Sequence, residues 1–92
     1  MNANINKYLV EFVGTMFFVF VIVSTGNFLA IGLALALAIM IGGKISGGAF
    51  NPAVAFVLYS SGKIPQTDLL PYVIVEILGA LAGYEVYKRF VA

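Results

Sequence analysis

Residues 46–54 read SGGAFNPAV, and the fold turns on this stretch. A Gly-Gly pair and an Asn-Pro step ordinarily mark a surface turn. Here long apolar runs flank them, FLAIGLALALAIMIGG at 28–43 and LLPYVIVEILGALAGYEVYKRF at 69–90. Asn51 is a strong N-cap type, and Pro52 falls at the first helical position, where its missing N–H is tolerated. NPAVAFVLYSS, 51–61, therefore reads as a helix ended by Ser60, Ser61 and Gly62. At eight or nine residues it is about 13 Å long, less than half of a ~30 Å hydrocarbon core. It cannot cross a bilayer, but it can dip to the midplane and return. Bare backbone at that depth is tolerated only where protein buries it or a watery cavity meets it. Gly47 and Gly48 suit such a turn, because glycine lets the chain bend sharply with its carbonyls uncovered. The half-helix then aims its positive end and free N–H groups at the midplane. Such an end attracts an acceptor oxygen and repels a cation.

Composition supports a membrane setting. Of 92 residues, 62% are hydrophobic and 10% are charged, against about a quarter charged in soluble domains. A soluble chain of this length would leave large apolar patches in water. The net charge of +1, with its basic residues scattered, gives no footprint for nucleic acid. The chain has no cysteine and no histidine. It therefore lacks a thiolate nucleophile, the commonest general base and the usual ligands of zinc or heme. Nothing in it reads as enzymatic, and no metal or cofactor is expected.

The first apolar run, YLVEFVGTMFFVFVIVSTG at 8–26, follows Lys7. A signal peptide would be shorter, would lack Glu11 and would end in a small-x-small cleavage site. About 18 apolar residues span a bilayer core, so 8–26 is expected to be the first transmembrane helix. The second is expected over 28–43, capped by Asn27 and ended by Gly42-Gly43. The re-entrant loop and half-helix then occupy 44–61, and a third transmembrane helix occupies 68–90. Thr67 or Asp68 would cap this last helix, with Pro71 in its first turn. Tyr72, Tyr84 and Tyr87, with Lys88 and Arg89, have the look of interfacial anchors. Glu85 is expected in solvent or paired with Lys88 or Arg89. Small residues recur at helical spacing, Gly32 with Ala36, Ala34 with Ala38 and Gly79 with Gly83, and would let helices approach closely. The polar MNANIN end is expected to fray. The expected fold is an all-α membrane protein of three transmembrane helices and one re-entrant half-helix, in a single domain over 1–92.

SGGAFNPAV resembles the first signature of the aquaporin and aquaglyceroporin family, SGGHxNPAV. The resemblance extends to EFVGT, 11–15, and to SGKIPQTDLLPYVIVEILGALAG, 61–83. It runs in the same order and spacing over nearly the whole chain. It implies a passive pore for water and small neutral solutes such as glycerol. The family's pores consist of two halves related by inverted symmetry, whose half-helices meet end to end at their NPA motifs. This chain carries one half. The resemblance therefore implies completion by a second copy, as an antiparallel homodimer, and the family's habit of gathering pores suggests a higher assembly of dimers. The other reading of a lone half is a non-conducting fragment. With the N-terminus inside, Lys7, Lys44 and Lys63 lie on one side, and Lys88 and Arg89 on the other. That weak bias under the positive-inside rule fits insertion into the cell membrane in both orientations, although so few charges can also balance by chance.

The resemblance also assigns roles. Asn51, Pro52 and Ala53 form the NPA motif, and the Asn51 amide would donate to a passing water or hydroxyl and interrupt a proton wire. Plain N-capping is the simpler role for Asn51, and both can hold at once. Gly47, Gly48 and Ala49 would line one wall of the pore with carbonyls, and Ala49, standing where the family commonly has His, should widen that level. The narrowest filter maps to Ile31 of one copy with Ile39, Gly48 and Val54 of the other, Val54 replacing the usual arginine. Such an aliphatic ring should admit glycerol-like solutes more readily and lacks one barrier to cations. Glu11 resembles a glutamate that accepts hydrogen bonds from the loop backbone, and Glu76 stands where the family's first half commonly has glutamine. Each should be protonated or well hydrogen-bonded if buried. Gly32, Gly79 and Gly83 are expected to pack helices. A competing reading is a dual-topology, proton-coupled transporter that uses Glu11 or Glu76, since intramembrane carboxylates are functional by default.

Overall fold

Three apolar runs become helices long and apolar enough to cross a membrane, and the Asn-Pro stretch becomes a short fourth. The computed structural model describes residues 3–92. In chain order the helices are α1 (Ala3–Thr25), α2 (Phe28–Ser46), α3 (Pro52–Ser60) and α4 (Gln66–Phe90). No strand occurs among the described residues.

The ends of the helices differ from the sequence expectation for local reasons. α1 starts at Ala3, so the polar segment is helical from there rather than frayed; Met1 and Asn2 lie outside the described residues. Adding residues to an existing helix is far easier than nucleating one. α2 is capped by Asn27, whose side chain accepts from the Leu29 and Ala30 N–H groups. It runs through Gly42 and Gly43 to Ser46 instead of ending there. Gly47, at φ +90°, is the left-handed cap, its N–H donating to the Gly43 carbonyl. α4 begins at Gln66 with no side-chain cap, which places Pro71 inside the helix past its first turn. Asp68 is not the cap. It accepts from Lys7 Nζ at 2.6 Å and Tyr8 Oη at 2.9 Å, tying α4 to α1.

α1 is the central helix, packed on α4 and on α2, while α3 packs on α4. On α4 the Gly79–Gly83 pair brings the backbones together. A Cβ at Gly79 would strike the Phe12 carbonyl of α1, and one at Gly83 the Met16 carbonyl. On α2 the buried stripe facing α1 is Ala34, Ala38, Gly42 and Ser46. Gly32 lies off that stripe, with nothing within 4 Å of a Cβ built on it. Within the chain, then, Gly32 packs no helix.

Buried polar groups share the interior with small apolar side chains, and large apolar ones face outward. The interior holds Glu11, Thr15, Ser46, Asp68, Tyr72 and Glu76, while Phe28, Met40, Ile41 and Leu70 stand exposed. That is the distribution a span needs when its outer medium is hydrocarbon. Tyr72 is fully buried and not an interfacial anchor. Tyr84 and Tyr87 stack near the end of α4, with Lys88 Nζ 5.0 Å from the Tyr84 ring centre and 2.9 Å from Glu85.

Candidate functional site: the re-entrant loop and half-helix

The loop 47–51 joins α2 to α3 through an unusual backbone. Gly47, Gly48 and Phe50 all have positive φ, of +90°, +71° and +55°. For the two glycines this is unstrained. For Phe50 a left-handed conformation costs about 1–3 kcal/mol and persists only where the surroundings hold it. Two contacts hold it here. The Phe50 N–H donates to Glu11 Oε1 at 2.8 Å. Its ring, 2% exposed, lies on Gly14, where a Cβ would overlap the ring edge. Glu11 and Gly14 are three residues apart and share one face of α1, so a single helix face supplies both contacts.

Every N–H from 47 to 50 turns inward. Gly47 donates to the Gly43 carbonyl and Gly48 to Ser46 Oγ at 3.1 Å. Ala49 donates to Glu11 Oε2 at 3.2 Å, and Phe50 to Oε1. Ser46 Oγ donates to Glu11 Oε2 at 2.7 Å, and the Ser46 carbonyl accepts from the buried Tyr72 hydroxyl at 2.6 Å. Among the described residues, no protein donor reaches the carbonyls of Gly47, Gly48, Ala49 or Phe50.

Asn51 follows in extended conformation and caps α3. Its Oδ1 accepts from the Ala53 N–H at 2.8 Å. Because the oxygen takes the cap, the amide nitrogen keeps its N–H donors, and the residue is exposed. Pro52 stands at the first helical turn, and Ala53 supplies the capped N–H.

Glu76 is also fully buried, beside the Glu11 carboxyl and the Asn51 backbone N–H. Neither approach closes to hydrogen-bond geometry, and both of its oxygens are without a partner among the described residues. The Ala49 side chain is buried with Ala55, Ile64 and Tyr72. It faces this core within the chain.

The filter residues fall into two places. Ile39 of α2 lies against Gly48, its Cγ1 3.4 Å from a Cβ built there. Val54, one turn into α3, is 40% exposed. Ile31 sits eight residues before Ile39, about 12 Å along the axis of α2, and does not join them within one chain. The sequence alone assigned no role to Ser46, Gly14 or Phe50 and cast Tyr72 as an interfacial anchor. The Glu11–Gly14 spacing and the serine before Gly47 were available as signals for the first two.

The major intrinsic protein family model matches residues 1–92. The chain is 42% identical over 95 residues to glycerol uptake facilitator protein-like 6 of Lactiplantibacillus plantarum, a match covering 94% of this chain and 44% of that protein. It is 38% identical over 95 residues to aquaporin Z of Brucella melitensis, covering 86% of this chain and 41% of the relative. It is 42% identical over 57 residues to aquaglyceroporin AqpS of Rhizobium meliloti, covering 62% and 24%. The chain spans less than half the length of each of these relatives.

Proposed function

The chain belongs to the major intrinsic protein family, and from that premise we propose that it forms a passive transmembrane channel for water and small uncharged solutes. The pore is completed by a second, inverted copy, which sets two Asn51 half-helix ends against each other at the bilayer midplane. One observation carries this reading. The loop N–H groups from Gly48 to Phe50 are bound inward to Glu11 and Ser46, while no protein donor meets the loop carbonyls and the Asn51 amide nitrogen keeps its N–H donors. A permeant water or hydroxyl meets acceptors along the wall and a donor at the centre, which replaces its hydration at low cost. The positive end of α3 disfavours cations at the same level. Ile39, Gly48 and Val54 of one copy, with Ile31 of the other, form the aliphatic constriction and favour glycerol-like solutes. Inverted pairing of identical halves follows the logic of inverted repeats and requires insertion in both orientations. Glu11 is occupied by two loop N–H groups and the Ser46 hydroxyl, which supports a structural role for it over proton carriage.

The test is stopped-flow light scattering on liposomes that contain the purified chain. Shrinkage in sucrose should be markedly faster than in empty vesicles, with rapid reswelling in glycerol. Shrinkage at the empty-vesicle rate, with the chain inserted and helical, would overturn the channel.

A further inference from the structure

α1 and α2 are joined by a short turn at Gly26-Asn27 and lie side by side as antiparallel spans. Between them runs a groove of about 510 Å³. Val13 and Phe17 form one wall, Leu37, Ile41 and Ile45 the other, and Phe50 the floor. Its volume is that of an ordinary small-molecule site, and nearly all of its surface is apolar. It exists because Gly14 and Gly42 lie along its base, where larger side chains would strike Phe50 and Val10.

A charge stands beside the groove by helical position, next to its lining residues Ile41 and Ile45. Lys44 lies one turn beyond Ile41 on the same side of α2 and next to Ile45, and it is exposed. Among the described residues the ion pairs are Lys7 with Asp68 and Lys88 and Arg89 with Glu85. Lys44 has none. A span with an apolar groove down its flank and an unpaired ammonium one helical turn from the groove's Ile41 complements an amphiphile with a hydrocarbon tail and an anionic head.

We propose that this groove binds one acyl chain of an anionic membrane phospholipid, with its phosphate on Lys44. The membrane supplies both parts, and no protein partner is needed. The tail rests on Phe50, the residue before Asn51, so an occupied groove braces the strained loop from behind. The site does not depend on the pore reading.

The chain has no tryptophan, so a single Trp reports without background. Ile41→Trp, at a 68% exposed position, is placed in vesicles doped with brominated phosphatidylglycerol or brominated phosphatidylcholine. Quenching of Ile41→Trp should favour phosphatidylglycerol by about fivefold in apparent affinity, the worth of one basic side chain at an anionic lipid surface. Adding Lys44→Gln should bring the two lipids level. Leu81→Trp, at a 56% exposed position on α4, should be quenched equally by both and confirms insertion. Equal quenching of Ile41→Trp by the two lipids, or a preference that survives Lys44→Gln, would overturn the proposal. So would weak quenching by both at Ile41→Trp while Leu81→Trp is quenched, which would mean that protein, such as another copy, covers the groove.

Discussion

Glu11 Oε1 lies 2.8 Å from the Phe50 backbone nitrogen, across 39 residues of chain. This bond and its neighbours at Ala49 and Ser46 fix a loop that has almost no other local support. Glu11→Ala removes the acceptor and leaves the buried Ala49 and Phe50 N–H groups unmet, while the Ser46 hydroxyl can turn to the Gly42 carbonyl. Unsatisfied buried donors cost about 1–3 kcal/mol each, so the variant should lose roughly 3–5 kcal/mol of stability and all flux. Thermal denaturation in detergent, followed by the liposome assay, checks both. An unchanged melting temperature would contradict the anchoring role.

Asn51 combines a cap with a donor, and two substitutions separate them. Asn51→Asp keeps an oxygen for the Ala53 N–H, so folding should hold, but it replaces the amide donors with a negative charge. Proton leak into vesicles, read by an interior pH dye, should rise clearly above wild type. Asn51→Ala should instead lose about 1 kcal/mol of capping. If Asn51→Asp conducts water and excludes protons like wild type, Asn51 does not face the permeant.

Val54 is 40% exposed at the first turn of α3, so Val54→Arg should fold. A guanidinium there narrows the aliphatic ring and repels cations. Glycerol flux should fall much more than water flux. Unaltered selectivity would remove Val54 from the constriction.

Gly79 and Gly32 make a matched pair for testing contact. Gly79→Ala would drive a methyl onto the Phe12 carbonyl and should cost about 1–3 kcal/mol, the usual range for overpacking. Gly32→Ala meets open space within the chain and should be near neutral for its fold. Chemical denaturation in micelles compares them. A large loss at Gly32→Ala would point to an interface between copies.

The sequence by itself determined what depends on neighbours in the chain. Three predominantly apolar runs are long enough to span, whatever they pack against. Asn51-Pro52 starts a helix because cap and preset φ act within three residues, and Gly47 and Gly48 mark the turn because a residue without Cβ takes a positive φ at no steric cost. The major intrinsic protein family was legible in SGGAFNPAV and EFVGT for the same reason. The tertiary structure decided everything that joins distant residues. Tyr72 reads as an interfacial anchor, yet its hydroxyl is buried on the Ser46 carbonyl, 26 residues away. Asp68 reads as a cap, yet it binds Lys7 and Tyr8 of α1. Gly32 and Gly79 look alike in sequence, and only the crossing of α1 and α4 makes one of them indispensable. Phe50 could be recognised as a wedge only once Gly14 was seen beneath it. Helix propensity and capping are local energies and show in spacing, whereas a buried polar group takes whichever partner the packing brings within 3 Å.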